Sequence, residues 1–203
     1  MATDDGPEIS SLTDEDLAEL YSWPHGHHVR LNMVLSATGE PVGLDGTSAS
    51  ISSAQDRRLL RLLRSHADVV LSGGASIRAE GWHLPPRGLL VVVSASGELP
   101  WSTCPDRSKV IVISSHQALS HFLRSQTGSV LCEGGIELAR VVERIHGFDS
   151  VAVTTMAHEA AHLSAFGIVQ TDFELTSELR DETPPATFSL WRRAVASRLR
   201  PQE

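Results

Sequence analysis

Short apolar runs alternate along this chain with segments whose apolar residues recur at helical spacing. Residues 29–35, 68–72, 89–94, 110–114, 129–132 and 150–155 form the runs. Each is four to seven residues long and nearly unbroken in its apolar character, the pattern of strands buried on both faces of a parallel sheet. Between them, 13–21 predicts a short helix, with Thr13 as N-cap and Asp16 in the capping-box position. Residues 53–65 repeat Leu59, Leu60, Leu62 and Leu63 with arginines interleaved, and 116–124 and 136–146 are two further helices, the last stopped by Gly147. Two strands, 168–176 and 186–195, flank a polar stretch containing Pro184-Pro185 and suit a closing antiparallel pair. Residues 1–11 read as a polar, mobile lead, 36–50 as a long Gly/Ser/Thr loop, and the Ala- and His-rich 157–167 matches neither period. Strands alternating with helices predict an α/β fold, a mostly parallel central sheet flanked by helices.

The length of 203 residues suits a single domain, with 1–27 as an N-terminal extension carrying the short helix. Hydrophobic residues at 41% and charged residues at 21% describe a globular body. With 17 basic against 25 acidic residues the net charge is -8, and no Lys/Arg run is interleaved with aromatics, so nucleic acid is not an expected partner. Cys104 and Cys132 stand far apart in dissimilar surroundings, as reduced thiols of a cytoplasmic protein do. No apolar run approaches the ~20 residues of a membrane span. The histidines His25, His27 and His28 lack accompanying ligands at metal-binding spacing, which makes a solvated loop cluster the expectation and a metal site not.

The chemistry concentrates in two glycine turns. In 130–140 an apolar strand runs into Gly134-Gly135 and then into an amphipathic helix; upstream, 68–72 runs into Gly73-Gly74 and a second helix. Glycine permits close backbone approach, and a helix that starts there offers unpaired N–H groups and the positive end of its dipole to an anion. Ligands of such sheets sit outside the carboxyl ends of the strands, the end to which both turns belong. Two helix starts on one rim can hold a pyrophosphate between them, although spacing along the chain does not put the turns side by side.

The ordered set Ser36-Ala37-Thr38-Gly39, Asp45-Gly46-Thr47-Ser48, Arg57-Arg58, Leu63-Arg64, Gly73 to Glu80 and Glu133-Gly134-Gly135 resembles the reductase domain of bacterial riboflavin biosynthesis, most closely over residues 28–155. The resemblance implies a dihydrofolate-reductase-like fold, a homodimer, and NADPH-dependent reduction of 5-amino-6-(5-phosphoribosylamino)uracil. It implies cofactor contacts at Gly73, Gly74, Ser76, Ile77 and Glu80, at Ser94 or Ser96 for the adenosine end, and at Gly134, Gly135, Ile136, Glu137 and Leu138 for the phosphates. It implies substrate contacts at Ser48, Arg64, Leu84, Arg87 and Glu133, with Asn32, Ser36 and Thr38 lining the same region. Arginines suit a phosphate and a carboxylate suits an amino-pyrimidine or ribose hydroxyls. Simpler roles stand beside these: Arg64 at a helix C-terminus, Glu133 and Ser76 as first-turn residues, Asp45-Gly46 as a turn, and Arg57, Arg58 and Arg61 as a solvated helix face. Two segments depart from the family. Thr38 replaces its usual aspartate, which removes an acid and leaves no catalytic residue assigned, and 156–161 replaces a Pro- and Gly-rich stretch. The ligand set of a zinc deaminase partner domain is absent as well. A reductase of the same fold acting on a pterin or another heterocycle, and a nucleotide-binding protein without catalysis, remain as alternatives.

Overall fold

The computed structural model of the protein describes residues 6–194. In chain order these form α1 (Asp14–Leu20), β1 (His28–Leu35), α2 (Ala54–His66), β2 (Val69–Gly73), α3 (Gly74–Glu80), β3 (Leu89–Val93), β4 (Val110–Ile113), α4 (His116–Ser125), β5 (Ser129–Cys132), α5 (Ile136–Ile145), β6 (Ser150–Thr155), β7 (Phe173–Glu182) and β8 (Pro185–Arg193). One eight-stranded sheet orders them β4-β3-β2-β5-β1-β6-β8-β7. The first six strands are parallel, and β8 and β7 close the sheet antiparallel.

Alternation along each strand divides the core into two layers. Val29, Leu31, Leu71, Val91 and Cys132 face α4 and α5, joined by Phe148 and Phe166. Val70, Leu90, Val92, Leu131 and Phe188 face the other way, against Leu59 and Leu63 of α2 and Leu17 of α1. No helix of the described residues is long and apolar enough to cross a membrane.

The helix starts fall into two kinds. Thr13 and Asp16 form the expected capping box (Asp16 N to Thr13 Oγ1 3.1 Å, Thr13 N to Asp16 Oδ2 2.8 Å), and Ser53 and Ser115 cap α2 and α4. The two glycine-headed helices, α3 and α5, have no side-chain cap. At the far end of α5 Gly147 takes the left-handed conformation (φ 87°) and stops the helix as its position suggests.

Several expectations change. The run at 110–114 is not covered on both faces: β4 is an edge strand, with Ile111 and Val112 exposed. The strand expected at 168–176 begins at Phe173 and continues to Glu182, because Ile168 packs into the core from an irregular segment while the polar tail of β7 lies on the exposed edge. The last expected strand ends at Arg193, and Val195 lies outside the described residues. Residues 157–167 are irregular, with a short 3-10 turn at Leu163–Phe166. The described part of the N-terminal lead, residues 6–11, is anchored: Ile9 is fully buried, and just beyond it Arg58 reaches Asp14 Oδ1 at 2.7 Å and the Leu12 carbonyl at 2.7 Å. Nor are His27 and His28 simply solvated. His28 opens β1 and meets Ser150 Oγ at 2.7 Å, and His27 Nε2 lies 3.1 Å from His146 Nε2.

Candidate functional site

Strands β2 and β5 are neighbours in register, Leu71 opposite Cys132, and the Glu133 amide donates to the Leu71 carbonyl at 2.8 Å. The turns Gly73-Gly74 and Gly134-Gly135 therefore leave the same rim side by side, which sequence spacing could not establish. From there α3 turns to one face, burying Ile77 against the α2 layer, and α5 turns to the other, burying Ala139 and Val142. Ser94, at the end of β3, extends the row on the far side of β2. A side chain on Gly74 would place its Cβ 2.8 Å from the Ser94 Cβ, whereas a Cβ on Gly135 would meet nothing within 4 Å. Gly135 has φ -57°, so its own backbone does not require glycine. The open space over it, beside uncapped N–H groups, is room for an approaching anion.

Next to this rim lies a cavity of about 510 Å³ between β1, α2, α3 and the 47–52 loop. That is the size range of small-molecule sites. Of the residues expected at the site it brings together Asn32, Ser48, Arg64, Ser76, Ile77, Glu80 and Glu133. Arg64 and Glu133 hold each other: Arg64 Nε lies 2.9 Å from both carboxylate oxygens and its NH2 2.6 Å from Oε2. Burial pushes the Glu133 carboxyl above its ordinary range, with the charge of Arg64 and its hydrogen bonds opposing the shift. Glu80 accepts the Ser48 amide at 2.7 Å, tying the loop to α3.

Other expected residues stand elsewhere. The Ser36 hydroxyl accepts the Thr38 and Glu40 amides at 3.2 and 3.1 Å, so Ser36 and Thr38 build the turn that ends β1 and do not line the cavity. Leu84 packs against the core layer under α2. Arg87 is exposed on the turn that brings the chain back to the start of β3, away from the cavity. At the head of α5, Ile136 and Leu138 pack inward, and Glu137 is exposed with Arg140 at 3.0 Å.

Among the cavity residues given no site role from the sequence, four are titratable: Asp56, His83, and Arg57 and Arg61, which were expected on a solvated helix face. The arginine face of α2 divides in two. Arg58 clamps α1, while Arg57, Arg61 and Arg64, at i, i+4 and i+7, turn to the cavity. Arg57 donates to the Ser52 carbonyl at 2.6 Å. That spacing was legible as one helical stripe; the face it would present was not.

No protein-family model and no curated protein matches the sequence. Solved structures do. A pyrimidine reductase-like protein from Corynebacterium diphtheriae superposes with a TM-score of 0.67 at 18% identity, over 90% of this chain and 99% of that one. The dihydrofolate reductase of Enterococcus faecalis, in complex with NADP(H), gives 0.60 at 12% identity, over 83% and 98%. A diaminohydroxyphosphoribosylaminopyrimidine deaminase/5-amino-6-(5-phosphoribosylamino)uracil reductase from Thermotoga maritima gives 0.60 at 15%, over 83% of this chain and 57% of that one. The fold is therefore the dihydrofolate-reductase-like α/β fold. It is also the fold of the riboflavin-pathway reductase domains that the sequence resembles.

Proposed function

We propose that the protein is an NADPH-dependent reductase of a small heterocycle, of the kind that the riboflavin-pathway resemblance implies. The observation that carries this reading is the pair of uncapped, glycine-headed helix starts on adjacent strands, opening beside a cavity of substrate size. A nicotinamide cofactor supplies hydride when bound. Gly73, Gly74 and Ser76 on one side, and Gly134, Gly135 and the first turn of α5 on the other, suit its pyrophosphate, and Ser94 suits its adenosine end. The substrate occupies the cavity under Asn32 and Ser48. The test is a titration of purified protein with NADPH and NADH followed by nicotinamide fluorescence, then a screen of pyrimidines and pterins for substrate-dependent oxidation. Saturable NADPH binding with oxidation by a heterocycle is the expected result; absence of binding by either nucleotide overturns the reading.

A substrate other than the phosphoribosylamino-pyrimidine is a second reading, supported by specific observations. Thr38 carries no acid, Arg87 stands apart from the cavity, and Arg64 is already engaged by Glu133. A pterin is then the competing substrate, and the same screen separates the two. Binding of NADPH without oxidation by any heterocycle would instead favour a nucleotide-binding protein without catalysis. We further propose a homodimer, for which light scattering on the eluting peak should read twice the chain mass of 22.0 kDa.

A further inference from the structure

A second cavity, of about 280 Å³, lies between α1, the segment that follows it and the last turn of α2, and it shares no lining residue with the first. Ala18, Leu62 and Leu63 give it apolar walls, Tyr21 and Trp23 give it aromatic ones, and no lining residue is acidic. An apolar cavity of about 150 Å³ holds benzene, so a one-ring molecule fits here. Both aromatic residues carry a buried polar atom, the Tyr21 hydroxyl and the Trp23 indole Nε1, that meets no partner among the described residues. Tyr21 is only 2% exposed, and a buried donor left unmet is costly and uncommon. The Trp23 ring is held in place, with the Arg30 guanidinium 4.2 Å from its centroid and His28 edge-on at 5.6 Å. Burial pushes the Tyr21 hydroxyl above its ordinary range, so it stays protonated and able to donate.

The charge behind these two donors is positive. Arg30 is fully buried, and its hydrogen bonds go to neutral acceptors: Nε to Ser150 Oγ at 2.8 Å, and its two terminal nitrogens to the Tyr21 and Ser22 carbonyls at 2.6 and 3.1 Å. Among the described residues no carboxylate forms an ion pair with it. Burial lowers its pKa to about 9, with the Arg192 charge acting in the same direction, and it remains a cation at neutral pH. A buried cation without a counter-ion favours an anion nearby. The carbonyls at the C-terminal end of α1, which would repel that anion, are the ones Arg30 occupies.

We propose that this cavity is a binding site, separate from the reductase site, for a small one-ring aromatic carboxylate, whose oxygens accept from the Tyr21 hydroxyl and the Trp23 indole N–H while its ring lies against Leu62 and Leu63. Hydrogen bonds to an ionised acceptor are the strong kind, and here they form within the field of Arg30. The proposal stands independently of the reductase reading. The probe is benzoate, titrated calorimetrically into the full chain, with benzamide as the neutral control of the same shape. Wild type should bind one equivalent of benzoate, and benzamide about tenfold more weakly or less. Tyr21→Phe removes only the hydroxyl and should weaken benzoate by about tenfold. Trp23→Phe keeps an aromatic face for Arg30 and should weaken it by a similar factor of about ten. Because the Tyr21 hydroxyl has no partner in the free protein, Tyr21→Phe should melt at or above the wild-type temperature, which separates loss of the donor from loss of fold. NADPH titration of Tyr21→Phe should match wild type. No binding of benzoate to wild type at millimolar concentration leaves the cavity to solvent and overturns the proposal. Equal affinity of wild type and Tyr21→Phe places the probe elsewhere and overturns it too, as does benzamide binding as tightly as benzoate. Failure of NADPH to bind wild type, with benzoate still dependent on Tyr21, would instead overturn the reductase reading alone.

Discussion

Gly74 and Gly135 each lie three residues beyond the paired Leu71 and Cys132, yet their surroundings differ. A Cβ at Gly74 meets Ser94 at 2.8 Å, on atoms fixed to the neighbouring strand end, so Gly74→Val should lower stability by about 1–3 kcal/mol in urea unfolding. A Cβ at Gly135 meets nothing, so Gly135→Val should leave the melting temperature near wild type while weakening NADPH by roughly tenfold, read by nicotinamide fluorescence. Unchanged affinity would make the Gly134-Gly135 segment a turn and nothing more. The arginines of α2 divide in the same way. Arg64→Ala strands the Glu133 carboxylate, whose side chain is 9% exposed, and should cost about 3 kcal/mol in urea unfolding. Arg61 is exposed, and Arg61→Ala should stay within about 0.5 kcal/mol of wild type. From the sequence both were arginines on one helix. Only the partner across the cavity distinguishes them.

Among the elements, the joint between the start of β1 and the end of α5 carries a pH dependence. His27 is held below its usual value of 6.5, first by burial and then by the His146 imidazole 3.1 Å away, with Asp149 opposing. Between about 6.5 and that lowered value the unfolded chain binds a proton that the folded chain does not. Stability from this source is therefore complete above 6.5 and is lost as the pH falls. The melting temperature should drop between about pH 7 and pH 5, and His27→Gln should flatten that slope; a slope equal to wild type would remove the histidine pair as its cause. This joint was missed because the two histidines are 119 residues apart. The elements with strong local signals were legible: the Thr13 capping box, the arginine-laced α2, the strands of the parallel core and the glycine stop at Gly147. Those set by environment were not. The polar half of β7 reads as loop because it lies on the exposed edge, and apolar β4 reads as interior although its outer face is open.

For the molecule as a whole, the alternation of strands and helices, the run lengths and the two strand-glycine-helix turns determined an α/β sheet with two glycine-headed helix starts after its strands. These signals are local: hydrophobic period, capping chemistry and the conformational freedom of glycine act within a few residues of chain. Tertiary structure decided what those signals add up to. The strand order set β2 against β5, which put two turns some sixty residues apart in sequence onto one rim. The packing of α2 over the sheet set Arg57, Arg61 and Asp56 at the cavity and Arg58 against α1, and it joined Arg64 to Glu133 in a pair that neither residue's neighbours announce. A side chain's neighbours along the chain fix its backbone conformation; its charge partner and its exposure come from whichever strand or helix the sheet order sets beside it.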